Sequence, residues 1–199
     1  MVMNLSNEYL MENSTICLQP KSNDDDIFKF DELDLEAYIR VNLGNVGEEM
    51  CTFKLPKALY SYEILEKAVE NTKNSFVIES LSDVLGISGF VDEVVPIDVV
   101  SNKNRIYGGS ALAFPEIFYD YCIKKGVKNI FIIPSSIHEL LIIRDNGDFD
   151  ANELTTLINL VNSTEVRDCD VLSDHVYLYD IKAGITWGSK SWFERAFKS

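Results

Sequence analysis

Basic residues are scarce in this chain of 199: 18 lysines and arginines stand against 32 aspartates and glutamates, a formal net charge of −14. A surface of that average sign repels phosphate backbones, and no basic stripe offsets it, which argues against nucleic-acid binding. Lys124, Lys125 and Lys128 gather at the end of an expected helix, where they complement its dipole. Cysteine is sparse too. Cys17, Cys51, Cys122 and Cys169 form no CxxC pair, so neither a zinc site nor a redox motif is indicated and reduced thiols are expected. Long apolar runs are missing, and none approaches the roughly 20 residues of a membrane helix. Met1 to Leu10 has neither a basic leader nor a continuous apolar stretch, so the expectation is a cytoplasmic protein. Without a secretory signal, the Asn13-Ser14-Thr15 and Asn162-Ser163-Thr164 sequons are read as chance.

What is present is apolar material enough to fold: 46% hydrophobic and 11% aromatic residues, well above the disordered range. The expected organisation is an irregular N-terminal segment over 1–34, one domain over 35–188, and a short helix or tail over 189–199, where Trp192, Phe193 and Phe197 have helical spacing. The polar stretch with Asp24 to Asp26 reads as a solvated loop, with an oxygen-ligand metal site as the sharper alternative.

Ala37 to Leu43 and Met50 to Leu55, around Gly44-Asn45-Val46-Gly47, predict a hairpin. Ser61 to Thr72 has helical periodicity, and Phe76 to Ile78 and Ser82 to Leu85 fit a short strand and a helical turn ended by Gly86. A second hairpin is expected from Ile97 to Val100 and Arg105 to Ala113. Pro115 opens a helix capped by Gly126, and Asn129 to Ile133 and His138 to Ile143 flank a Pro134-Ser135-Ser136 turn. Asp150 and Glu153 have capping-box spacing ahead of Leu154, Leu157, Ile158 and Val161. A last hairpin spans Val176 to Trp187. The pattern predicts an α+β fold, mainly antiparallel, built from hairpins with helices packed on one face. Ile117, Phe118, Tyr121, Leu154, Leu157, Ile158 and Val161 are the expected helical core.

The polar run Ser135-Ser136-Ile137-His138-Glu139 holds one of only two histidines and is the best candidate site. Ser136 and His138, two apart on an expected strand, share a face. Asp174 or Glu139 added by folding would complete a hydrolytic arrangement. The blander reading is turn chemistry with a hydrogen-bonded histidine, and the GxSxG elbow is absent. Ser173-Asp174-His175 is the second cluster; with His138 it offers imidazole and carboxylate ligands for a divalent metal, against a local backbone role for Ser173 or Asp174. No catalytic, metal or cofactor site is assigned. Gly108-Gly109-Ser110 matches neither a P-loop nor GxGxxG, and its glycines point instead to a bulge or close backbone approach. Asp145, Asp148, Asp150 and Glu153 lack the glycine and terminal glutamate positions of a calcium loop.

The ordered series Asn102-Lys103-Asn104-Arg105-Ile106-Tyr107-Gly108-Gly109-Ser110-Ala111, Ile133-Pro134-Ser135-Ser136-Ile137-His138-Glu139, Asn162-Ser163-Thr164-Glu165-Val166 and Leu172-Ser173-Asp174-His175-Val176-Tyr177 resembles a bacterial domain-of-unknown-function family. Its members read YGAA, PSSIHE, N-TQV and LSDHVY in that order. The resemblance reaches back to about Leu33 and implies a chain shortened at its N-terminus, but it carries no activity to transfer. The reading is therefore a protein-binding module without catalysis, with no cofactor and with a protein as partner. A hydrolase or metal-dependent enzyme using His138 and His175 would need both rings in one cleft beside a carboxylate. An acidic inhibitor or immunity protein would need its carboxylates on one face.

Overall fold

The computed structural model describes residues 5–22, 28–30, 33–47, 49–86, 97–187 and 190–191. Asp24 to Asp26 and the aromatics of the tail lie outside them. The chain divides into two compact units, Met1–Ser75 and Phe76–Ser199. That division falls at 75/76, away from the expected boundaries at 34/35 and 188/189.

In the first unit the described residues of 1–34 include one helix and two strands. Ser6 caps helix α1 (Asn7–Asn13), which leads into strand β1 (Ser14–Pro20). β1 pairs antiparallel with residues 35–41 of β3 (Leu35–Val46); β2 (Phe28–Phe30) pairs with residues 35–37 of β3 on its other side, and β4 (Glu49–Lys54) pairs with β3 between Arg40 and Val46. Period-two patterning is weak in β1 because Ile16, Cys17 and Leu18 are all buried, and a strand covered on both faces does not alternate. The β3–β4 hairpin forms as predicted. Helix α2 (Tyr62–Lys73) starts at Ser61, whose hydroxyl accepts from the Ile64 amide. It buries Ile64, Ala68 and Thr72. The Thr72 hydroxyl accepts from the Ile16 amide at 2.7 Å and donates to the Ala68 carbonyl at 2.6 Å, so the one polar group on that buried stripe is satisfied.

The second unit is built on an antiparallel sheet in the order β11-β10-β9-β7-β8-β6-β5, from β5 (Phe76–Ser80), β6 (Ile97–Asn102), β7 (Asn129–Ser136), β8 (Glu139–Arg144), β9 (Tyr177–Asp180), β10 (Gly184–Trp187) and β11 (Lys190–Ser191). The α+β class and the antiparallel sheet are as predicted. Helix α3 (Leu81–Leu85) ends at Gly86 in left-handed conformation, α4 (Pro115–Lys125) ends likewise at Gly126, and Asp150 caps α5 (Ala151–Thr164). Two residues expected in the tail helix, Lys190 and Ser191, pair as strand with Trp187 and Thr186. No helix among the described residues is long and apolar enough to cross a membrane.

Three expectations are corrected. Helices do not share one face. Phe131 and Leu178 are register partners, as are Ile130 and Tyr179, and adjacent strand residues point to opposite faces. Leu154 and Ile158 of α5 pack with Phe131, Ile133 and Ile143, whereas Phe118 of α4 meets Tyr179 on the other face, ring centres 5.9 Å apart. Next, Arg105–Ala113 is not a strand but a turn and a 3-10 helix over Gly108–Ala113. The Asn102 carboxamide folds the turn, its oxygen accepting from the Asn104 and Ile106 amides and its nitrogen donating to the Ile106 carbonyl. Last, Pro134, Ser135 and Ser136 belong to β7, and the hairpin turns at Ile137-His138. Proline is tolerated there because β9 pairs only as far as Ile132 and the β7–β8 register shifts between Pro134 and Ser136.

The stripe on α5 is narrower than four residues in two turns. Leu154, Ile158 and Asn162 are buried, while Leu157 is 54% exposed against 3% for Ile158. Ile158→Ala is therefore expected to cost about 2–5 kcal/mol through transfer and cavity terms, while Leu157→Ala should stay within about 0.5 kcal/mol. Urea denaturation of the two variants checks this, and equal losses would contradict the placement of the helix.

Candidate functional site

The four motif segments converge at one end of the second unit's sheet. Gly108 and Gly109 donate their amides to the carbonyls of His138 (2.9 Å) and Ile137 (3.1 Å), and the Ile137 amide donates to the Asp170 carbonyl at 2.7 Å. Neither glycine could carry a side chain as placed. A Cβ on Gly108 would lie 2.4 Å from the Ser101 Cα, and one on Gly109 would lie 2.8 Å from Leu172 Cδ2 and 2.9 Å from the Ile137 carbonyl. The close backbone approach expected of these glycines is thus their role. At the end of α5, Asn162 Nδ2 donates to the Ser173 carbonyl and to Asp174 Oδ1, and Tyr177 donates its hydroxyl to Ser173 Oγ. Asn162 is buried at 7% exposure, which fits the reading of its sequon as chance.

His138 sits in the hairpin turn, its side chain 28% exposed. Nδ1 accepts the Tyr107 amide at 3.2 Å, and Nε2 faces Asp170 Oδ1 at 3.5 Å. Asp170 Oδ2 in turn accepts from Arg167 Nε at 2.7 Å. Burial alone would raise the Asp170 carboxyl, but the Arg167 hydrogen bond and charge, helped by the imidazole, outweigh it and hold the group below the usual aspartate value. The carboxylate at the histidine is thus Asp170, which carried no motif signal. Arg167-Asp168-Cys169-Asp170 is a 3-10 turn without periodicity.

The other candidates are distributed as follows. Ser135 Oγ donates to Glu139 Oε1 (3.2 Å) and to its carbonyl (3.3 Å), and Ser136 Oγ accepts the His138 amide at 3.0 Å. Among the described residues no hydrogen bond joins Ser136 Oγ to either imidazole nitrogen. Asp174 is exposed and held by Asn162, while the His175 amide donates to Ser173 Oγ. Among the described residues, no three His, Cys, Asp or Glu side chains are grouped to hold a metal ion.

A neutral imidazole has one acceptor nitrogen. In His138, Nδ1 accepts the Tyr107 amide. The arrangement fastens a loop to a hairpin.

No curated protein and no solved structure matches the chain. The model of one family matches residues 57–181, a span that holds all four motif segments and begins after Leu33. The chain belongs to that family, DUF5688, a family of unknown function.

Proposed function

We propose that this protein is a protein-binding module of the bacterial cytoplasm and performs no catalysis. The observation that carries the reading is on α5. Outside the stripe that packs on the sheet, Leu157 and Leu160 are 54% and 59% exposed, three residues apart and therefore neighbours on the helix surface. Paired large apolar groups in water are a common mark of a docking surface when they are contiguous. On α4, Tyr119 and Ile123, at 47% and 59% exposure, form a second such pair. The histidine motif supports the reading from the other side, because its hydroxyls and its acceptor nitrogen are engaged by the fold.

Affinity capture from the native cell tests the proposal. Wild-type chain is expected to retain a specific protein that the Leu157→Glu, Leu160→Glu variant loses by at least about tenfold, the scale of one well-buried apolar anchor. The variant should keep its unfolding midpoint because both side chains lie outside the core. A partner held equally by both chains would reject α5 as the surface. A hydrolytic activity lost in His138→Asn but not in the leucine variant would reject the reading altogether.

A further inference from the structure

Helix α5 carries one charged side chain, Glu153, in a chain with 25% charged residues. Its positions Glu153, Leu157, Leu160 and Thr164 are all exposed. They recur at spacings of four, three and four, the seam of two paired helices. The hydroxyls beside and along this seam are turned back on their own helix: Thr156 donates to the Asn152 carbonyl, and Ser163 and Thr164 both donate to that of Leu160, at 2.8–3.0 Å. The surface therefore presents leucine and methyl groups, and covering it leaves none of these donors without an acceptor. Asn152 and Asn159 lie off the seam.

We propose that this face binds a second copy of the chain, α5 lying antiparallel on α5 about a twofold axis, with Leu157 of each copy against Leu160 of the other. The inference rests on the reading of α5 as a docking surface and names its occupant. The case for a second copy is electrostatic. A chain of net charge −14 repels its like, so two copies meet most easily where charge is missing, and the seam of α5 is such a place. Antiparallel pairing sets Glu153 beside Thr164 of the other copy. The two glutamates then stand about eleven helical positions apart, roughly 16 Å, twice the screening length of about 8 Å at physiological salt. A parallel pair would set Glu153 against Glu153. The acids at the helix ends are Asp150, whose Oδ1 accepts the Asn152 and Glu153 amides, and Glu165; they add to the repulsion that salt screens. A twofold contact uses the same patch on both copies and closes, so association stops at two. Four leucines without an ion pair make a small interface, and the dimer is accordingly weak.

Sedimentation velocity of the purified full chain, at concentrations up to about 1 mM, tests it. A reversible equilibrium between monomer and dimer is expected, with no larger species. Because both copies are acidic, added salt should tighten the dimer, the reverse of a contact made by opposite charges. Leu157→Glu, Leu160→Glu should weaken it by at least about tenfold. Thr164→Lys sets a lysine beside Glu153 of the other copy, twice per dimer, and should tighten association by at least about twofold at low salt. Asn159→Lys changes the net charge equally but lies off the seam, so it should tighten association less. A chain still monomeric at about 1 mM, a dimer indifferent to the leucine variant or weakened by salt, or a Thr164→Lys chain no tighter than Asn159→Lys would each overturn the second copy. A monomeric chain whose capture of a different cellular protein still depends on Leu157 and Leu160 would overturn it too, while leaving α5 as the docking surface; capture that ignores those leucines would reject the docking reading itself.

Discussion

Gly108→Ala is expected to destabilise the second unit by about 3 kcal/mol or more, the sum of an overpacking strain and a broken buried hydrogen bond. The new Cβ would stand 2.4 Å from the Ser101 Cα and 2.7 Å from the His138 carbonyl oxygen. Both are backbone atoms of the sheet end, so no side-chain rotation can make room. Moving the loop outward would stretch the 2.9 Å bond from the Gly108 amide to the His138 carbonyl and the 3.1 Å bond beside it. Gly126→Ala is the control. Its Cβ would meet nothing within 4 Å, and its cost is only that of a left-handed residue with φ of 70°, roughly 1 kcal/mol. Urea denaturation followed by circular dichroism should rank the variants in that order. A Gly108→Ala chain as stable as Gly126→Ala would mean that the loop is not fastened to the hairpin as described.

The role of Gly108 was legible in the sequence because paired glycines beside a β-rich segment mark close approach, but the loop around them was not. Arg105 to Ala113 has strand propensity; its course is set by the Asn102 side chain and by anchoring to Ile137 and His138, far away along the chain. The Pro134-Ser135-Ser136 run shows the same limit. Its residues favour a turn locally, yet the Asp170 carbonyl and the two glycine amides stabilise a turn two residues later. Asp170 itself could not be found from spacing, since the residues that give it meaning are Arg167 and His138 and only the first is near in sequence. Helix caps behaved differently. Ser61, Asp150, Gly86 and Gly126 act within their own turn, so local chemistry determines them. The assignment of helices to one face failed for a related reason: β7 is buried on both sides, and a strand without alternation cannot reveal how many faces are covered.

Asp98→Ala is expected to cost about 1–3 kcal/mol, because it leaves the buried Tyr121 hydroxyl without its acceptor. In the run Ile97-Asp98-Val99-Val100 this aspartate looks like a strand residue that should face water. The register places it opposite Ile142 and Ser80, beneath α4, and it is only 4% exposed. Tyr121 donates its hydroxyl to Asp98 Oδ2 at 2.5 Å, while Lys125 Nζ and Arg144 Nη2 lie 3.4 Å and 3.6 Å from the carboxylate. Both cations are about a third exposed, so water screens their share and the tyrosine bond dominates. Burial first, and then donation to Asp98, push the Tyr121 hydroxyl well above the ordinary tyrosine value. The sign of the pH effect follows. A group raised in the folded state contributes its full stability below the unfolded value and loses it as pH climbs through the alkaline range toward the folded one. Tyr121→Phe should therefore cost about 1.5–3 kcal/mol at neutral pH, as for a hydrogen bond to a charged group. Its deficit relative to wild type should shrink as alkali weakens the wild type. Because the two residues share one contact, the double variant should be less destabilised than the sum of the single ones. Denaturation of the four chains at neutral and alkaline pH decides the matter: strict additivity, or a Tyr121→Phe deficit that grows with pH, would show that the phenol and Asp98 are not coupled.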